Sequence, residues 1–130
     1  MPEENAIPNP TPGELEILRV LWTEGPSTVR EVQNKLPSER AAGYTTVLKL
    51  LQIMTEKGLV DREEAGKAHV YRARQSQDQA QRQIVTDLLD RVFGGAAERL
   101  VMHALTSRKA SQQELAEIRN LLDKLEGDEA

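Results

Sequence analysis

A mainly α-helical fold with one β-hairpin is what this 130-residue sequence predicts, and three observations predict it. Apolar residues recur at helical spacing in three successive N-terminal segments. Between about residues 59 and 73 that period gives way to two short extended runs around a glycine. Beyond residue 75 the helical period returns three more times.

Residues 1–10, MPEENAIPNP, are acidic and proline-rich and read as a flexible tail. The first helix opens at Thr11-Pro12-Gly13-Glu14: a Thr cap, Pro at the first helical position, and Glu three residues after the cap. Leu15, Leu18, Leu21 and Trp22 give it an inner face, and Glu24-Gly25-Pro26 stops it. Thr28 and Glu31 form a second capping box, Val29, Val32 and Leu36 face inward, and Pro37 follows. Residues 38–43 are a linker. The third helix, 44–57, places Val47, Leu50, Leu51 and Met54 at i, i+3, i+4 and i+7 and closes at Gly58. Extended runs at 59–64 and 68–73 then flank a tip at Ala65-Gly66-Lys67. Val60, Val70 and Tyr71 supply their β-branched and aromatic character, and Gly66 sits where a tight turn wants positive φ. Three short helices and a hairpin make the winged helix-turn-helix arrangement, here over residues 11–75. Its connection between helices two and three, about seven residues, is longer than the tightest helix-turn-helix turn.

A second helical region is expected over 76–126, with 127–130 as a polar tail. Ser76 and Gln79 cap a long helix to about Phe93, with Ala80, Ile84, Leu88 and Val92 at four-residue spacing, and Gly94-Gly95 breaks it. A shorter helix, 97–105, carries Leu100, Val101, Ala104 and Leu105. Ser111 and Glu114 cap the last, with Leu115, Ile118, Leu122 and Leu125 on one side. There are no internal repeats. Three helices in some fifty residues, with Phe93 their only large aromatic residue, bury too little surface to be comfortable alone. Their apolar stripes are expected to finish burial against a second copy of the chain. Ile84, Leu88, Val92, Phe93, Leu100, Val101, Leu115, Ile118 and Leu122 are the candidate dimerisation residues.

Composition excludes several function classes. No apolar run approaches the ~18 residues of a membrane span, and the start is not signal-like, so a cytoplasmic protein without a membrane partner is expected. With no cysteine there is no disulfide or thiolate site, and two histidines thirty-four positions apart, His69 and His103, speak against an imidazole metal site. No cofactor is implied. Asp87 and Asp90 read as a solvated helix side, and Ser27 and Ser38 have no base in view, so no catalytic arrangement emerges. Aromatic residues at 3% leave little to line a pocket for a small aromatic ligand.

The net charge of −4 speaks against nucleic acid, but it is unevenly spread. Residues 40–74 hold seven bases against four acids, a net +3, whereas 76–130 hold seven against ten, a net −3. Local charge is what matters for DNA. With Val47 at the centre of the third helix's inner face, Thr45, Lys49, Gln52 and Glu56 fall within roughly 40° of the opposite pole, with Leu48 and Thr46 at the margins. A solvated face more usually alternates Glu and Lys. Thr45 and Thr46 offer short side chains with hydroxyl and methyl together, Lys49 reaches guanine O6 or N7, Gln52 pairs with adenine, and Leu48 rests against a thymine methyl. Glu56 lies past the groove. Lys67 at the hairpin tip, with Arg62, Arg72 and Arg74 along its strands, is placed for phosphates, which fix register without reading sequence. Cross-strand pairing with Glu63 and Glu64 is the competing role for these arginines, Arg62 above all. Tyr44 is placed either for a phosphate or to pack over the linker, and Trp22 reads as core.

The segments ELEILRVLW, TVREVQNKLP, YTTVLKLLQIMTEKGLV, GKAHVYRA and DLLDRVFGG, in that order, resemble the penicillinase repressors, the BlaI/MecI family, from about residue 11 to 125. The resemblance implies a cytoplasmic homodimer with an N-terminal winged helix and a C-terminal dimerisation region, repressing transcription from a pseudo-palindromic double-stranded DNA operator. It places Tyr44, Thr45, Thr46, Leu48, Lys49 and Gln52 on the recognition helix and Lys67 on the wing, with Arg72 beside it. It also implies a regulatory protease as a partner. The family's β-lactam-responsive members are cut near the end of the first dimerisation helix, before a Phe preceded by Asn. Phe93 holds the similar place, but Val92 precedes it, which speaks against the same protease preference. The Val92-Phe93-Gly94-Gly95 segment is nonetheless the expected hinge and candidate cleavage site. The copper-responsive branch carries a C-terminal cysteine motif, which this chain lacks. A winged-helix module that docks a protein instead of DNA is the alternative.

Overall fold

The computed structural model describes residues 7–37 and 42–129. Residues 1–6 and 130, and the linker residues 38–41 with Ser38 and Arg40, lie outside them. The described elements run α1 (Pro12–Glu24), α2 (Val29–Lys35), α3 (Tyr44–Lys57), β1 (Val60–Ala65), β2 (Ala68–Ala73), α4 (Gln77–Arg91), α5 (Ala97–Ser107) and α6 (Gln112–Glu129). The chain divides into two compact units, the first ending at Val85 and the second starting at Thr86.

Local side-chain chemistry starts four of the helices. At α1 the Thr11 hydroxyl accepts from the Glu14 N–H at 3.2 Å while the Glu14 carboxylate accepts from the Thr11 N–H at 2.9 Å. The same reciprocal pair occurs at Thr28 and Glu31, Ser76 and Gln79, and Ser111 and Glu114. Each satisfies two backbone donors that a helix start otherwise leaves open. α3 ends at Gly58, whose φ of 85° is the left-handed conformation glycine adopts without a Cβ penalty.

The core of the first unit is the meeting of inner faces. Ile17, Leu18, Val20 and Leu21 of α1 pack with Val29 and Val32 of α2, Val47, Leu51 and Met54 of α3, and Leu59, Val60 and Tyr71 of the hairpin. Trp22 and Leu36 pack against this cluster as expected, Leu15 is half-buried, and Leu50 is only partly buried. The Trp22 indole N–H donates to the Gln75 carbonyl at 3.0 Å, a core role. The hairpin is antiparallel, with Arg62 opposite Tyr71, Asp61 opposite Arg72 and Glu64 opposite His69. Its loop is the pair Gly66-Lys67. Gly66 has φ 65° and, among the described residues, no non-glycine residue has positive φ, the pattern of a two-residue turn with glycine first. Tyr71 also exchanges both backbone hydrogen bonds with Ser27, at 2.8 and 3.0 Å, a short bridge that ties the wing to the start of α2.

Two buried polar contacts brace this unit. Glu14 is 2% exposed and accepts from the Lys57 ammonium at 2.7 Å, fastening the C-terminal end of α3 to the first turn of α1. Burial pushes the Glu14 carboxyl up, but the hydrogen bonds from Lys57 and Thr11 outweigh it and hold the group below the ordinary carboxyl value. Gln83 of α4 donates to the Ile7 carbonyl at 2.5 Å and to Asn9 at 2.9 Å. The tail expected over 1–10 is therefore anchored from Ile7 onward, because Ile7 also packs against the core. The first part of α4 belongs to this unit, with Ala80 buried at 4% exposure.

In the second unit α4 gives way to a turn at Val92-Phe93-Gly94-Gly95, with positive φ at both glycines. Phe93 lies 5.8 Å from the His103 ring of α5. α6 continues to Glu129 instead of stopping at Glu126. A single Gly127 in a helix costs only about 1 kcal/mol, and no proline follows to end it. Among the described residues of this unit no hydrophobic side chain is buried: Val92 is 66% exposed, Met102 63%, Leu122 54% and Leu125 52%. An apolar surface of that kind is unusual on a finished domain.

Candidate nucleic-acid interface

α3 is held by its inner face, and the opposite face is consequently free. Val47, Leu51 and Met54 are fully buried, while Thr45, Thr46, Lys49, Gln52 and Glu56 are exposed and Leu48 is half-buried at the margin. This is the division that 100° steps around the helix dictate. Among the described residues, none of the Thr45, Thr46, Lys49 and Gln52 side chains is engaged by another residue. Gly43 precedes the helix with no side-chain cap, so no side chain at the N-cap covers the start of α3.

Tyr44 is 42% exposed at the start of α3, and the Arg30 guanidinium of α2 lies over its ring, 4.9 Å from the centroid. Between α2, α3 and the wing runs an open groove of about 380 Å³. Val29, Leu48 and Tyr71 line it together with Arg30, Tyr44 and Lys67. Lys67 thus shares one concavity with Tyr44 and Leu48 of α3, though Lys67 lies nineteen positions beyond Leu48 in the chain.

The wing arginines divide into two groups. Arg72 is 3.4 Å from Glu63 and 4.0 Å from Asp61, and Arg74 grips Asp61 at 2.5 Å. Arg74 holds the Asp61 carboxyl below its ordinary value, against the opposing effect of burial. Glu64 faces His69 at 3.8 Å. Arg62 and Lys67 have no carboxylate partner among the described residues. The competition between phosphate and cross-strand pairing thus goes to pairing for Arg72 and Arg74, and Arg62 is the arginine left unpaired.

The candidate dimerisation residues all lie on α4, α5, α6 or the turn after α4. Leu88, Val92, Val101 and Leu122 are exposed, and Ile84, Phe93, Leu100, Leu115 and Ile118 are half-buried. Val92 and Phe93 lie in the non-helical turn that opens toward the two glycines. Ser27 is buried with its hydroxyl donating to the Gly25 carbonyl, and Asp87 pairs with Arg91 four residues on. Among the described residues there is no cluster of three metal-ligating side chains, and no helix is long and apolar enough to cross a membrane.

Arg30 is the groove-lining residue that sequence reasoning passed over. Its signal is weak, a single base on the exposed side of a short helix, and its neighbour Tyr44 is fourteen positions away across the linker.

Comparison with known proteins bears on the same region and beyond. A family model described as "Penicillinase repressor" matches residues 10–124. The methicillin resistance regulatory protein MecI of Mammaliicoccus sciuri is 22% identical over 111 residues, 85% of this chain and 90% of that protein. The penicillinase repressor of Bacillus licheniformis is 22% identical over 117 residues, 90% of this chain and 91% of its own length. Among solved structures, the transcriptional regulator Tm0710 from Thermotoga maritima aligns with a TM-score of 0.50 at 16% identity. That alignment covers 96% of this chain and 78% of the other, and the likeness is one of fold.

Proposed function

This chain belongs to the penicillinase repressor family, and on that premise we propose that it is a homodimeric, sequence-specific DNA-binding transcriptional repressor. α3 enters the major groove of a pseudo-palindromic operator, and the wing tip rests on the adjacent backbone. The observation that carries this reading is the unengaged, exposed side of α3, where Thr45, Thr46, Lys49 and Gln52 stand together, while Lys67 lines a groove with Tyr44 and Leu48 of the same helix. Those groups are donors and acceptors without a protein partner, at the length a groove admits. Tyr44 and Leu48 border them. Arg72, drawn toward Glu63, is the weakest of the proposed contacts.

The second unit supplies the dimer: exposed Leu88, Val101 and Leu122 close against a second copy, and two linked heads then meet successive half-sites. Regulation is by proteolysis at Val92-Phe93, where an exposed, non-helical turn separates the reading head and α4 from α5 and α6. The protein acts in the cytoplasm and carries out no catalysis of its own.

Selection of bound duplexes from a random DNA pool tests the reading. Enrichment of one inverted-repeat sequence is expected, with log affinity falling against log salt at a slope near −4.5 for about five neutralised phosphates per protein. Failure to enrich any sequence, with weak binding that ignores salt, would favour a protein-docking module.

A further inference from the structure

The groove between α2, α3 and the wing contains a group that the reading-head assignment does not use. Arg30 is exposed, and it has no carboxylate partner among the described residues. Its guanidinium lies over the Tyr44 ring, 4.9 Å from the centroid. A ring holds a cation electrostatically but cannot satisfy the five N–H donors that a guanidinium carries as a planar fork. The result is a cation held over an aromatic ring, with donors that have no carboxylate partner among the described residues. A planar fork of that kind matches two oxygens of one phosphate.

The surroundings favour an anion of extended form. Arg30 and Lys67 border the same groove from different elements, α2 and the wing tip, and the floor between them is apolar, with Val29, Leu48 and Tyr71. No acidic side chain lines that groove. The acids nearest in sequence are otherwise engaged: Glu31 caps α2, Glu63 is beside Arg72, and Glu64 is beside His69. By contrast, Arg72 and Arg74, the arginines that a count of wing charge would nominate, are paired to carboxylates.

We infer that Arg30, positioned by Tyr44, is a phosphate-gripping residue that clasps the DNA backbone at the edge of the major groove, opposite Lys67. Arg30 and Lys67, and not the carboxylate-paired Arg72 and Arg74, supply the principal backbone charge of each reading head. The inference rests on the DNA-binding reading above and adds the residue that sets register.

The experiment uses the full-length protein, the duplex it selects from a random pool, and an unrelated duplex of equal length. Affinity is measured across a series of salt concentrations. Arg30→Ala is expected to flatten the log–log salt slope by about 0.9 on both duplexes, the contribution of one phosphate, leaving sequence preference unchanged. Arg72→Ala is expected to move the slope by much less. Arg30→Lys retains the slope but binds more weakly, because an ammonium lacks the fork. A duplex with one neutral methylphosphonate at the contacted position should lose as much affinity as Arg30→Ala causes, and combining the two should add nothing.

If Arg30→Ala weakens binding with the slope intact, Arg30 serves only packing and the inference is wrong. If no methylphosphonate position is non-additive with it, the inference is equally wrong. A parent protein that shows no preference for any duplex would instead overturn the DNA-binding reading itself.

Discussion

At the scale of single residues, Glu14 shows how one side chain holds two elements in register. It accepts from the Thr11 backbone and from the Lys57 ammonium, so it caps α1 and fastens the end of the recognition helix together. Glu14→Gln keeps the cap, since an amide oxygen still accepts from Thr11, but loses the charge that Lys57 requires. A loss of about 1–3 kcal/mol near neutral pH is expected from urea denaturation. Because the folded-state pKa is lowered from 4.5, the Glu14 contribution is complete above that value and disappears as pH falls through the lower folded pKa. The parent and Glu14→Gln curves should therefore converge as pH falls through the folded pKa; a gap that stays constant however far the pH is lowered would show that the ion pair is not its source. On the outer side of the same helix, Lys49→Ala is expected to cost roughly 1–3 kcal/mol of binding and relax one operator position. Lys67→Ala is expected to weaken every duplex alike. Binding of both variants at the parental affinity would displace α3 from the groove. The recognition face was readable in the sequence because helical geometry alone separates Thr45, Lys49 and Gln52 from Val47 and Leu51. The Glu14–Lys57 and Arg30–Tyr44 pairs were not, since each joins residues that only tertiary folding brings together.

At the scale of elements, what was legible follows the same division between local and distant causes. The four capping boxes join residues three apart, so Thr11, Thr28, Ser76 and Ser111 announced their helices without knowledge of the fold. The bridge from Ser27 to Tyr71 and the anchoring of Ile7 by Gln83 depend on long-range packing and left no periodic trace. α6 runs past the expected boundary at residue 126 because Gly127 carries only a modest helix penalty. The wing illustrates a local cause with a functional consequence. Gly66 at φ 65° lets a two-residue loop turn the chain and present Lys67 at the tip. Gly66→Ala places a Cβ in a conformation that L-residues avoid, with an expected loss of roughly 1 kcal/mol or more. Space is not the obstacle, since a Cβ there meets nothing within 4 Å, so the effect is purely conformational. The expected result is a hairpin whose amide protons exchange faster and a DNA affinity that falls toward that of Lys67→Ala. Retention of both the exchange rates and the affinity would show that the turn tolerates the substitution and that the tip is not held for DNA.

At the scale of the whole molecule, the two units have opposite relations to burial. The first has a closed core of α1, α2, α3 and the hairpin, whereas α5 has no buried residue and its Val101 is 48% exposed. An isolated helix of eleven residues is marginal in water, and packing of its apolar side is what normally sustains it. In the proposed dimer a second copy supplies that packing without requiring any further partner, which would account for the selectivity of a head with few base contacts. Once one head is bound, the other meets its half-site at high effective concentration, and linkage of this kind raises avidity by about 10²- to 10⁴-fold. The double substitution Val101→Asp with Leu122→Asp places two carboxylates on that surface while leaving the first unit untouched. Sedimentation equilibrium should then report a monomer where the parent is a dimer. Affinity for a single half-site should stay near parental, and affinity for the full inverted repeat should fall by at least about 100-fold. A cut at Val92-Phe93 should have the same effect, because it removes α5 and α6 from the heads. If the parent itself sediments as a monomer at concentrations that saturate the operator, the coupling between heads is absent, and tight binding must come from each winged helix alone.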